Sequence, residues 1–213
     1  MPRSTWRVGR ASRTAWSRPE ADGAAASLYV LIARLNASTM TKAPTPQLNT
    51  QSPLAQALRA LLEEMEARMQ LAQPVTLYLA GGMAAHLYTP SRWTSDVDAE
   101  FSARVAVPPD ITVEVPQGNG TSRTIQLDTG YNPAYSLMHP DRHKDSLPLE
   151  IGTSNLRLQV LSPVDLAVSK IARLSGDDKG DIADLVRSGL VTPDEIQKRA
   201  EEALGRVNTN SNY

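Results

Sequence analysis

Two aspartates stand two residues apart in the run Asp96-Val97-Asp98-Ala99-Glu100-Phe101. In an extended strand, alternation puts Asp96, Asp98 and Glu100 on one face and Val97, Ala99 and Phe101 on the other. Like charges ~6–7 Å apart along a strand repel unless something positive sits between them, and a hard divalent cation such as Mg²⁺ does this with oxygen ligands. Fourteen residues before Asp96 comes Gly81-Gly82. A glycine pair at the start of a helix lets backbone N–H groups approach a phosphate that a side chain would block. Either feature alone is commonly just a tight turn or a solvated strand face. Together they predict a nucleoside triphosphate and Mg²⁺ in one cleft, and phosphoryl or nucleotidyl transfer as the chemistry.

The surrounding elements must hold these residues in place. Ser52-Pro53 reads as an N-cap and first-turn proline for a helix whose apolar face is Leu54, Leu58, Leu61, Leu62, Met65 and Met69, ending before Pro74. This helix should pack on a sheet. Val75 to Leu79 reads as a buried strand running into Gly81-Gly82, with Met83 to Tyr88 as the helix that follows. Further strands are expected at Arg104 to Val107, Ile111 to Val115, Thr124 to Leu127, Leu147 to Ile151 and Leu156 to Leu161, with a turn at Gly118-Asn119-Gly120. Ser162-Pro163, with Asp165 completing the cap, starts a helix carrying Val164, Ala167, Val168, Ile171 and Leu174, which Gly176-Asp-Asp-Lys-Gly180 interrupts as a turn. Helix resumes from Asp181 to Arg187, and Thr192-Pro193 caps a last one to about Leu204.

Several polar residues could serve this chemistry. Lys170 and Arg173 share a helix face and could reach phosphates together, or lie along the core into solvent. Arg92, beside the aspartate strand, could clamp a phosphate or form a surface ion pair. His86 reads as a packed helix residue. His139-Pro-Asp141-Arg142-His143 is a polar connection between strands, and Asp177-Asp178 belongs to the glycine-flanked turn.

Composition narrows the classes. The 213 residues carry 22 Lys+Arg against 23 Asp+Glu, a net charge of −1, too balanced for wholesale electrostatic binding of nucleic acid. The absence of cysteine excludes disulfides, thiolate zinc sites and a cysteine nucleophile, and is compatible with a cytoplasmic protein. No apolar run reaches the ~18–20 residues of a membrane span, so no membrane partner is expected. Met1 to Thr39 holds six Arg and no Lys against Glu20 and Asp22, a net +4, together with Trp6 and Trp16. This stretch reads as a flexible or mis-started extension ahead of Met40, with Leu28 to Ala33 as a short signal-like core in the other reading. Ala43 to Ser52 reads as a linker. The expected organisation is 1–51 extension and linker, 52–161 core, 162–206 C-terminal helical segment and 207–213 frayed tail.

The residues just quoted resemble a known family. Leu79-Ala-Gly81-Gly82-Met-Ala-Ala-His-Leu-Tyr88, followed by Arg92-Trp-Thr94-Ser95-Asp96-Val-Asp98, looks like the signature of the nucleotidyltransferase (polymerase-beta-like) superfamily. Its bacterial branch includes the AbiEii-type toxins of type IV toxin–antitoxin systems and minimal nucleotidyltransferases. Ser162-Pro-Val-Asp165-Leu-Ala-Val-Ser-Lys170-Ile-Ala-Arg173, ending in Lys179-Gly-Asp181-Ile-Ala-Asp184-Leu185, is similar to the Lys…Arg…Lys-Asp-x-x-Asp-Leu stretch that follows the core in that branch, except that Gly180 splits the Lys-Asp pair. The resemblance spans Leu54 to Leu204.

It implies an α+β fold, a nucleotidyltransferase-like mixed β-sheet flanked by helices with a C-terminal helical segment. It implies Mg²⁺-dependent transfer of a nucleoside monophosphate from an NTP to a hydroxyl of tRNA, another RNA or a protein, by a toxin with a cognate antitoxin. Gly81 and Gly82 would hold the triphosphate, with Arg92 and Arg173 as further nucleotide contacts. Asp96 and Asp98 would ligate metal, Lys170 would contact the nucleotide, and Asp181 would be a further site residue. The third carboxylate has no unambiguous match: Glu150 is taken as the ligand, with Asp128 and Glu100 as alternatives. A chain lacking that ligand would instead be a catalytically silent module acting through a protein partner.

Overall fold

The computed structural model describes residues 46–118 and 120–209. The Arg-rich start with Trp6 and Trp16, the Leu28 to Ala33 run, Met40, the first part of the linker, Asn119 and the last four residues lie outside the described residues.

The first described helix, α1 (Pro53–Met69), starts as the sequence predicts, with the Ser52 side chain accepting the Ala55 N–H and Pro53 at the first helical position. Its face of Leu54, Leu58, Leu61, Leu62 and Met65 is buried, and Gln70 ends it in the left-handed region at φ 48°. The next elements are β1 (Val75–Leu79), α2 (Gly81–Tyr88), β2 (Asp96–Val97), β3 (Ala99–Phe101), β4 (Thr112–Pro116), β5 (Ser122–Leu127), a 3₁₀ turn (Pro133–Tyr135), β6 (Leu147–Leu149) and β7 (Leu156–Val160). The chain then runs through α3 (Pro163–Ser169), α4 (Gly176–Arg187) and α5 (Pro193–Thr209). The fold is α+β.

Two mixed sheets form among the described residues, one in the order β3-β1-β7-β6 and the other β2-β5-β4. In the first, β1 is parallel to β7 (Leu77 opposite Leu158) and antiparallel to β3 (Leu79 opposite Ala99). In the second, β2 is parallel to β5 (Asp96 opposite Gln126, Val97 opposite Leu127) and β4 is antiparallel to β5. The helix α1 packs on β4 and β5. Its Glu66 carboxylate accepts the N–H groups of Ser154, Asn155 and Leu156, tying that helix to the start of β7. One apolar core of Leu58, Leu61, Leu77, Met83, Ile125, Leu158, Leu166 and Ile182, among others, joins both sheets to the helices.

Three elements differ from expectation. Arg104 to Val107 forms no ladder; Val105 and Val107 line a hollow beside β3 instead. The strand expected over Leu147 to Ile151 stops at Leu149, with Ile151 buried beyond it. The string Gly176-Asp-Asp-Lys-Gly180 is the first turn and a half of α4, not a turn. Ser175 caps it with its side chain on the Asp178 N–H, and Asp178 returns to the Ser175 N–H, a reciprocal capping box that outweighs two glycines. The break that was expected there falls earlier: α3 ends at Ser169, and Leu174 reverses the chain at φ 46° while keeping its side chain buried. No helix among the described residues is long and apolar enough to cross a membrane.

Candidate active site

The chain changes sheets at Asp98. Residue 97 ends β2 in one sheet and residue 99 begins β3 in the other, so Asp98 sits at the switch, its carbonyl accepting the Ala80 N–H at 2.8 Å. Because β2 and β5 run parallel with Val97 opposite Leu127, the next residues in register are Asp98 and Asp128. The Asp128 N–H donates to the Val97 carbonyl at 3.0 Å, and both aspartates line a cleft of about 250 Å³. Asp98 takes up a proton more readily than an ordinary carboxyl. Burial is the chief cause, the charges of Asp128 and Asp96 add to it, and Lys170 and Arg173 oppose it.

Gly81 explains how Asp98 comes so close to the first turn of α2. Its φ is 61°, and a Cβ there would lie 1.7 Å from the Asp98 Oδ2. The position needs glycine for backbone and for space. The first turn of α2 carries no capping side chain, which leaves its N–H groups for an anion. Gly82 is buried under the next loop, where a Cβ would meet Thr94 Oγ1 at 2.9 Å and Arg92 Nη2 at 3.0 Å.

The cations of the site are braced by an ionic chain in which Lys170, Asp178 and Asp181 are buried and Arg173 is exposed. Lys170, 4% exposed, is 2.8 Å from Asp181 and 3.5 Å from Asp178. Asp181 also takes a two-pronged contact from Arg92 at 2.9 and 2.8 Å, and Asp178 takes another from Arg173 at 2.8 and 2.9 Å. Asp178 and Asp181 lie three apart, on one face of α4. Asp177 adds a third carboxylate, 3.7 Å from Arg92, so three cations meet three carboxylates. Burial would raise the Asp178 carboxyl, but Arg173, Ser175 and Lys170 hold it well below the usual range.

The structure therefore gathers Gly81, Asp98, Lys170 and Arg173 around one cleft. Asp96 is exposed beside it and reaches Asp98 through its charge. Arg92 and Asp181 stand behind the cleft as braces rather than in its lining. Glu150 does not join them. Strand β6 runs antiparallel to β7 with Leu147 opposite Val160, so Glu150, exposed past Leu149, lies toward the other end of the sheet from Gly81 and Asp98. Glu100 is occupied otherwise: Arg142 donates to it at 3.0 and 2.9 Å and His143, stacked on Tyr78, lies at 3.1 Å. Burial raises the Glu100 carboxyl, yet these partners bring it below its ordinary value. His86 bridges Ser52 and the Arg92 carbonyl at 2.8 and 3.1 Å, half-buried and pushed by burial toward its neutral form.

Sequence reasoning placed Asp178 in a turn, whereas it completes a helix capping box whose signal was the Ser-x-x-Asp spacing. It missed Tyr131, which lines the cleft and whose phenol is pushed up by burial and then by Asp98 and Glu100. Asp128, one of three alternatives for the third carboxylate, is the one beside Asp98.

Among the described residues, no three His, Cys, Asp or Glu side chains are gathered into a finished metal cluster. The donor chemistry of Asp98 and Asp128, with Asp96 beside them, nevertheless fits a hard divalent cation. All are carboxylates, the oxygen donors such an ion takes, and Asp98 and Asp128 line the same cleft.

No curated protein and no solved structure matches the chain significantly. A family model does, over residues 56–213, and that span takes in both glycines, the three aspartates and the whole ionic chain from Arg92 to Asp181. The chain belongs to that family, a nucleotidyltransferase family of unknown function (DUF6036).

Proposed function

We propose that the cleft moves a nucleoside monophosphate from an NTP to a hydroxyl group of an RNA or a protein. The observation that carries this reading is the placement of Asp98 beside Asp128 at the glycine turn, in a cleft that Lys170 and Arg173 also line. In the reaction the acceptor oxygen forms a bond to the α-phosphorus as the α–β phosphoanhydride bond breaks, and pyrophosphate leaves. The first turn of α2 receives the phosphates. Lys170, held in place by Asp181, and Arg173 offset their negative charge. Asp98, at the glycine turn in the cleft, accepts the hydroxyl proton. Asp98 and Asp128, with Asp96, would hold Mg²⁺, which when bound activates the hydroxyl and neutralises the pyrophosphate.

The decisive experiment incubates the protein with each α-labelled NTP, Mg²⁺, and either total RNA or total protein, alongside Asp98→Asn. Label on one acceptor class, absent with the variant, supports the reading. Equal labelling by the variant would sink it, and a wild type that binds no NTP would point to a silent binding module. As part of the same proposal we group the chain with AbiEii-like toxins of the cytoplasm. Expression that arrests growth, relieved by a cognate antitoxin, would support that assignment; harmless expression of a labelling-competent protein would overturn it.

A further inference from the structure

We propose that Tyr135 is the platform on which the base of the incoming nucleotide stacks, an inference that rests on the nucleotidyl-transfer reading and adds to it the residue that grips the base. Tyr135 lines the cleft of Gly81, Asp98 and Lys170. It is 83% exposed, and among the described residues the other exposed large hydrophobic side chain, Leu204, does not line that cleft. Water around an uncovered aromatic ring is released when a flat partner covers it.

The mount beneath the ring is rigid. Pro133 starts the 3₁₀ turn, Asn132 Oδ1 accepts the Ala134 N–H at 2.9 Å, and the Ser136 N–H closes the turn on the Pro133 carbonyl at 3.0 Å. A capped, proline-started turn fixes the backbone beneath the ring, so less backbone freedom is lost on binding. Polar groups at the cleft's glycine turn and ionic chain suit phosphates, whereas a base needs a π-face, and an aromatic side chain accepts any of the four. Asn132 and Ser136 line the same cleft and can hydrogen-bond a base edge.

A base could come from the NTP or from the end of an RNA acceptor, and we assign it to the NTP. The test measures binding of Mg·ATP, Mg·GTP, Mg·tripolyphosphate and a short single-stranded RNA to wild type, Tyr135→Ala and Tyr135→Phe by calorimetry. We expect Tyr135→Ala to weaken NTP binding by about 5- to 150-fold, the ratio matching a stacked base on an aromatic ring. Tripolyphosphate, which has no base, should bind both alike, and Tyr135→Phe should bind NTP as wild type does. If wild type binds NTP and Tyr135→Ala binds it equally, this inference alone is overturned. If Tyr135→Ala loses RNA and keeps NTP, the ring belongs to the acceptor and the assignment is overturned. A wild type that binds no NTP overturns the nucleotidyl-transfer reading together with it.

Discussion

Replacing Gly81 by alanine tests how the backbone and the carboxylates are joined. The new Cβ would stand 1.7 Å from Oδ2, 2.5 Å from Cγ and 2.8 Å from Cβ of Asp98, so the Asp98 side chain must leave its place. Two costs add. An alanine in the left-handed region costs ~1–2 kcal/mol, and an aspartate driven off its rotamer costs ~0.5–1.5 kcal/mol. With Tm moving by roughly 2–4 °C per kcal/mol in a chain of this size, the expected loss of about 1.5–3.5 kcal/mol lowers Tm by roughly 3–14 °C. Gly82→Ala is the control. Its Cβ meets side-chain atoms of Thr94 and Arg92 at 2.9 and 3.0 Å, and the helix-propensity gain of up to ~1 kcal/mol offsets that crowding. The assay is urea unfolding of both variants, with the denaturant slope checked for constancy, followed by Mg·NTP titration. Gly81→Ala should be the less stable and should lose the ligand, because Asp98 no longer faces Asp128. A Gly81→Ala protein as stable as Gly82→Ala that still binds Mg·NTP would refute this account of the turn.

Asp98→Asn should stabilise the folded protein at neutral pH while removing Mg²⁺-dependent binding. A carboxyl whose folded proton affinity is raised loses stability as pH rises through that value, so the ionised form at pH 7 is a strain that the amide lacks. Thermal melts with and without Mg²⁺ check this: wild type should gain Tm on adding the ion, and the variant should start higher and gain nothing. Asp181→Ala leaves Lys170 and Arg92 without their shared carboxylate and should cost ~3–5 kcal/mol, read by urea unfolding, because it strands buried charge. Asp178 has the opposite sign to Asp98. Its folded carboxyl titrates below the unfolded one, so its contribution is present above about pH 4 and is lost as pH falls through the lower folded value. An Asp178→Asn variant should therefore show a flatter stability curve below about pH 4 in acid titration followed by circular dichroism.

What the sequence made legible was local. The Ser52-Pro53 cap, the apolar stripe of α1 and the strand-glycine-helix unit from Val75 to Tyr88 each follow from neighbours a few residues apart, and the structure has them. The pairing of Asp98 with Asp128 depends on the register of two strands about thirty residues apart, which no local pattern specifies. Glu150 fits a strand edge as well as Asp128 does; only the antiparallel direction of β6 sends it to the wrong end of the sheet. The helix through Gly176 and Gly180 was hidden by its glycines, since the stabilising contacts are the Ser175–Asp178 box and ion pairs to Arg173 and Lys170 on the preceding segment. Val105 and Val107 alternate as a strand would, but they face a hollow and have no ladder partner.

The most direct test of the site is calorimetric titration of Mg·NTP into wild type, Asp128→Asn and Glu150→Gln. The account predicts that Glu150→Gln binds as wild type does, and that Asp128→Asn loses more than the roughly 10–100-fold typical of a supporting partner around a metal. Undiminished binding by Asp128→Asn, or loss of binding in Glu150→Gln, would contradict it.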